Sequence, residues 1–251
     1  MTDSFNPPDS DGALDHLAAL VRERDRDNYL CALVVPAARR DALLALHAFN
    51  SEILRARAGV SEAAIGHVRM KWWYDALVGV FGGAPPHHPV AEALARAVPF
   101  GLERTALEDI IEAHAEALGA PAVYDVDSRT ARADAELGPL FRQILHLFEV
   151  PAPEAKRAAA AARTWGLLTA LRREPVPADK VRALHDAACT YRRDAGRPVG
   201  AALPALLPMV LADIYLGRIA RAGYDLGHPL VRRADPGALA LPKLWWAARR
   251  R

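Results

Sequence analysis

A chain of 251 residues and 27.2 kDa, 52% hydrophobic and 25% charged, is long enough to bury roughly 70–75% of its unfolded surface. Its 32 basic and 30 acidic residues leave a formal charge of +2. That balance excludes a disordered polyelectrolyte and gives no blanket positive field for nucleic acid. Four basic residues are lysines (Lys71, Lys156, Lys180, Lys243), so 28 are arginines, as expected of GC-rich bacterial coding. The two cysteines, Cys31 and Cys189, are too few for a disulfide framework and have no metal-ligand spacing, so reduced thiols are expected.

Residues 1–12 are acidic and proline-rich and are expected to form a disordered tail. They lack the basic start and apolar run of a secretion signal and the arginine-rich pattern of a transit peptide, so a bacterial cytoplasmic location is expected. The longest apolar run, Val199 to Leu211, holds Pro204 and Pro208 and is too short to span a bilayer.

From residue 13 onward alanine, leucine, arginine and glutamate dominate, with no sustained alternation of period two. Proline and glycine punctuation predicts helices over 13–24, 26–34, 37–58, 61–80, 89–98, 105–118, 128–149, 153–172, 177–194, 198–222 and 240–250. Ser61 is the expected cap of the fourth, and Pro204 or Pro208 is expected to kink the tenth. Leu43, Leu46, Phe49, Ile53 and Leu54 form one helical stripe; Ile65, Val68, Trp72 and Leu77 form another. Both are expected to be core. No repeat or linker divides the chain, so residues 13–251 are expected to be one all-α domain.

The run Asp27-Asn28-Tyr29-Leu30 to Pro36, with Arg39-Arg40-Asp41-Ala42-Leu43 and Leu46-His47-Ala48-Phe49, resembles the squalene/phytoene synthase family. The similarity continues through Met70 to Leu77 and His88-Pro89-Val90-Ala91. A divergent branch, the complex I (NADH dehydrogenase) assembly factor six type, is resembled more closely. It shares Ala48 to Glu52, Gly59 to Glu62, Ile65-Gly66, Val68-Arg69-Met70, Trp73, Tyr224 to Pro229, Leu241-Pro242 and Trp245. The resemblance implies an isoprenoid synthase-type helical bundle. It also implies a partner among respiratory complex I subunits or assembly intermediates, at the inner face of the inner membrane.

Family enzymes join two prenyl diphosphates head to head, using magnesium held by two aspartate-rich motifs. At the first motif this chain has Leu54, Arg55 and Ala58, with Glu52 the remaining carboxylate. At the second, Leu168 to Glu174 places Arg173 where the first aspartate belongs, and a family loop is missing before Pro177. Arginine has no lone pair to give a metal. The expectation is therefore a catalytically degenerate member with no metal or cofactor. The alternative, a prenyltransferase with rearranged acids, would need magnesium and would use Glu52 with Asp125 and Asp127.

Arg55, Arg57, Arg172 and Arg173 are the candidates to bind a diphosphate or lipid head directly, in a cleft lined by Phe49, Asn50, Glu52, Trp73 and Leu168. The competing reading makes these arginines solvated surface, or ion-pair partners of Glu52 and Glu174. Asp125, Asp127, Asp134 and Glu136 form a carboxylate cluster that could bind a cation, but Asp127 and Ser128 near a helix start are read more simply as N-terminal capping charge. His87-His88 is read as surface loop and His47 as a satisfied interior histidine. No nucleophile elbow, P-loop or dinucleotide fingerprint is present. The C-terminal Trp245-Trp246 with Arg249 to Arg251 is read either as a helix packed on the body or as a segment at a membrane interface, where phospholipid would be the partner. A third reading is a carrier or sensor of isoprenoid lipids, with an apolar cavity between the third and eighth helices.

Overall fold

The computed structural model describes residues 10–57, 63–233 and 235–249. Its organising element is α3 (Ala37–Arg57), in which every residue from Ala42 to Ile53 is buried. A helix buried on all sides must be central, and the others wrap it. α1 (Ser10–Arg24), α2 (Arg26–Ala32), α4 (Ala63–Gly82), α5 (Pro89–Ala97), α6 (Arg104–Glu116) and α7 (Val126–Leu147) all pack against it. α8 (Ala155–Arg173) lies between α7 and α9 (Ala178–Ala195). α10 (Leu203–Leu206) and α11 (Pro208–Arg221) follow, then α12 (Pro229–Arg232) and α13 (Ala240–Arg249). There is no strand among the described residues.

The sequence explains most boundaries. Asp25 caps α2 by accepting from Asn28 N, and Asp125 caps α7 by accepting from Ser128 N at 2.8 Å. The cap of α7 is thus Asp125, and the helix begins at Val126, ahead of the predicted 128. Arg40 gathers the loose carbonyls at the end of α2, bonding Ala32 O at 3.1 Å and Leu33 O and Val35 O at 3.2 Å. The predicted tenth helix is two, α10 and α11, separated at Leu207. Pro208 has no N–H to carry a ladder through that point. Residues 203–221 are apolar and long enough to cross a membrane, yet 61% of the stretch is buried inside the protein. They are core.

α8 approaches α7 closely because alanine and glycine line the crossing. A Cβ added at Gly166 would stand 2.4 Å from Ala133 Cβ. Both cysteines are free, Cys31 buried and Cys189 half-buried.

Three expectations need correction. α1 starts at Ser10 rather than at the predicted 13; residues 1–9, Ala58, Ser61 and Arg250-Arg251 lie outside the described residues. The short α12 was not expected. The stripe on α4 is not core: Ile65 is 45%, Val68 70% and Trp72 42% exposed, and Leu77 alone of the four is buried. α4 turns a different face inward, carrying Gly66, Met70, Trp73, Leu77 and Val80. Leu54 of the α3 stripe is also exposed, while its other members are buried.

Candidate functional site

The centre of the bundle is built from α3, α7 and α8. A small cavity of about 80 Å³ lies there, lined by Asn28, His47, Asn50, Leu54, Arg129, Glu136, Trp165, Thr169, Arg172, Arg173 and Glu174 among others. Its carboxylates are already engaged. Glu136 accepts from Arg57 at 2.7 Å and from Arg132 at 2.8 Å. Glu174 receives a two-pronged bond from Arg129 at 2.8 and 2.9 Å. Asp27, buried beside the cavity, accepts from Arg172 at 2.9 Å and from the Tyr215 hydroxyl at 2.7 Å. The Arg172 guanidinium stacks 3.5 Å from the centre of the Tyr215 ring. Burial, with Asp27 beside it, pushes the Tyr215 hydroxyl's pKa upward.

Polar groups are nonetheless left over. His47 Nδ1, Asn50 Oδ1 and His114 Nε2 are buried without a hydrogen-bond partner, and all three residues line the cavity. His47 is therefore interior but not satisfied, contrary to expectation. Burial lowers the His47 pKa, with Asp25 opposing. Burial likewise lowers His114 to about 4, with Glu136 opposing and Arg57 and Arg132 assisting. Arg57 Nη1 lies 3.2 Å from His114 Nδ1; a guanidinium only donates, so Nδ1 accepts. The Glu136 pKa is itself lowered. Burial pulls it upward, and His114, Arg132 and Arg57 outweigh that.

The four candidate arginines do not share one cavity. Arg172 and Arg173 line the central cavity and also an outer pocket between the ends of α1 and α8. Arg57 is occupied by Glu136. Arg55 lies in a separate open groove with Glu52, Arg69, Trp72, Trp73 and His88. There Glu52 is buried and paired with both Arg24 and Arg55. Of the two expected ion pairs, Arg55–Glu52 is present, whereas Glu174 pairs with Arg129 rather than Arg173. Asn50 lines the central cavity, and Glu52 and Trp73 line the groove. Phe49 and Leu168 are fully buried in the core, Phe49 meeting Trp73 edge-on at 5.3 Å.

A model of the squalene/phytoene synthase family matches residues 21–183. The chain belongs to the squalene/phytoene synthase family. Among curated relatives, mouse NADH dehydrogenase (ubiquinone) complex I, assembly factor 6, is 30% identical across 86% of this chain and 76% of its own length. The Bos taurus protein of that name is 27% identical over the same shares. Among solved structures, a dehydrosqualene synthase in complex with ligand superposes with a TM-score of 0.75 at 12% identity, covering 95% of both chains. A squalene synthase from Alicyclobacillus acidocaldarius gives 0.71 at 14% identity, covering 85% of this chain and 95% of its own. These last two establish the isoprenoid synthase helical fold.

The family's enzymes imply magnesium, so its fit can be tested here. A hard dication needs several free carboxylate oxygens within about 2.0–2.1 Å. Glu136 accepts from two guanidiniums at Oε1, Glu174 from one through both oxygens, Asp27 from Arg172 and the Tyr215 hydroxyl, and Asp25 from Asn28, and Arg173 stands beside them. No cluster of three histidine, cysteine, aspartate or glutamate side chains suited to a metal occurs among the described residues. Magnesium does not fit this donor set.

Arg129 and Tyr215 carry no signal in the sequence, and Asp27 enters there only as part of the run that resembles the family. Their importance lies in pairings across as many as 188 positions of chain, for which no local pattern exists.

Proposed function

We propose that this protein is a non-catalytic member of the squalene/phytoene synthase family that assists assembly of respiratory complex I. It would act by binding a subunit or assembly intermediate in the bacterial cytoplasm, at the inner face of the inner membrane. The observation that carries the reading is the state of the central cleft. Glu136 and Glu174 in it, and Asp27 beside it, are neutralised by Arg57, Arg129, Arg132 and Arg172. Its volume of about 80 Å³ is far below the ~300–1,000 Å³ of ordinary ligand pockets, so two prenyl chains have no room. The names of the relatives supply the biological direction.

Two measurements test it. Purified protein incubated with farnesyl or geranylgeranyl diphosphate and magnesium is expected to yield no head-to-head product. A squalene- or phytoene-type product would instead establish a prenyltransferase. Deletion of the gene is expected to lower NADH oxidation by complex I in isolated membranes. Unchanged complex I activity would refute the assembly role.

A further inference from the structure

The outer pocket, about 640 Å³, is rich in cationic side chains. It is walled by the end of α1, the first turn of α2, the end of α8, and Val231, Arg232, Arg233 and Asp235. Seven arginines face three acids across it. Two of those acids are used within the fold. Asp27 is held by Arg172 and Tyr215, and Asp235 lies 3.5 Å from Arg233. The third, Glu23, is exposed at the rim. Arg24 is drawn away to Glu52. Arg22, Arg26, Arg173 and Arg232 remain, all exposed, with no side-chain hydrogen bond or ion pair among the described residues. Four unneutralised guanidiniums around one concavity repel one another and are stabilised by a bound polyanion. Their forked donors match phosphate oxygens.

What lies beside the pocket indicates the source of that phosphate. From Asp235 in that wall the chain runs on through Gly237 into α13, which packs on α2 and α11. α13 buries Ala240, Leu244 and Ala247. At 3.6 residues per turn the opposite face carries Leu241, Trp245, Arg249 and Trp246. Leu241 is 41% exposed, Trp245 49% and Trp246 54%, and Leu239 just ahead is 69% exposed. The Arg249 guanidinium lies 3.5 Å over the Trp245 ring. No acidic residue follows Asp235 in the chain. Tryptophan and leucine set among cations, with no acid in the helix itself, is the composition of a helix lying in a membrane interface.

We propose that the pocket and the exposed face of α13 form one docking site for an anionic phospholipid surface. Arg22, Arg26, Arg173 and Arg232 take lipid phosphates, while Leu241, Trp245 and Trp246 enter the headgroup boundary. This does not rest on the complex I reading, and its test contains no complex I component.

The test is co-sedimentation of the full chain with vesicles of phosphatidylcholine, with and without phosphatidylglycerol. Binding is expected with the anionic lipid only, and is expected to weaken with added salt. The triple variant R26Q/R173Q/R232Q should bind roughly a hundredfold more weakly, at about a factor of five per guanidinium. W245A/W246A should also lose affinity, by roughly tenfold. The three arginines are exposed, so the triple variant should keep the wild-type unfolding temperature, and that is the control for folding; the half-buried tryptophans are compared at a temperature where circular dichroism shows both variants fully folded. Equal binding to neutral vesicles, or a triple variant that binds like wild type, overturns the proposal. Inorganic pyrophosphate separates the two sources of phosphate. If it binds with the same arginine dependence while vesicles do not, the occupant is a soluble diphosphate and membrane docking is wrong.

Discussion

Arg129 and Glu174 lock α7 to the end of α8 through two parallel bonds, Nη1 to Oε2 at 2.9 Å and Nη2 to Oε1 at 2.8 Å. The guanidinium is buried, with 6% of its side chain exposed, and Glu174 is about one third exposed at 34%. Removing one partner strands a buried charge, which costs more than the pair contributes net. After discounting for the wet side of Glu174, Glu174→Ala is expected to cost about 2 kcal/mol. Arg129→Met added to it should recover part of that. Urea unfolding of the four proteins in a double-mutant cycle measures the coupling. Additive effects would show that the fork contributes nothing.

The His114 environment predicts a pH dependence of stability. Its folded pKa of about 4 lies below the ordinary value of 6.5. Between those values the unfolded chain binds the proton and the folded chain does not, so stability falls as pH drops from 6.5 toward 4. The loss expected from this one group is about 3 kcal/mol across the window, at ~1.4 kcal/mol per pH unit. His114→Gln should flatten that part of the profile. A variant profile parallel to wild type would show that His114 does not set it.

Gly166 permits the α7–α8 contact. A methyl there would overlap Ala133 Cβ and approach its Cα to 3.2 Å, so the helices must separate. Gly166→Ala gains about 1 kcal/mol of helix propensity and loses about 1–3 kcal/mol to overpacking. A net destabilisation of about 1 kcal/mol is expected, seen as a lower denaturant midpoint at unchanged slope. A stabilised variant would mean that the crossing relaxes freely.

Two residues of α4 should respond in opposite ways. Val68 is 70% exposed, so Val68→Lys is expected to leave stability within about 0.5 kcal/mol. Trp73 is 3% exposed and meets Phe49 edge-on, so Trp73→Ala is expected to cost about 3–5 kcal/mol. Thermal unfolding of both variants checks the inward face of the helix. Comparable losses in the two would contradict it.

The sequence by itself determined the all-helical class, most helix boundaries and the buried stripe of α3, and it placed Arg55 and Arg173 where the resemblance implies carboxylates. Helix propensity, capping and proline punctuation act within about four residues, and residue identity alone decides whether a side chain can ligate a metal. The tertiary structure decided which face of α4 is wet. Ile65, Val68 and Trp72 share a stripe with helical spacing, but burial depends on where a neighbouring helix lies, and α6 and α3 cover the side bearing Met70 and Trp73 instead. It also decided the electrostatics. Glu174 stands next to Arg173 in sequence yet bonds Arg129. Arg22, Arg26, Arg173 and Arg232 come from three distant segments to wall one pocket. A charge selects partners by distance in space, and chain order says little about that distance once thirteen helices have packed among the described residues.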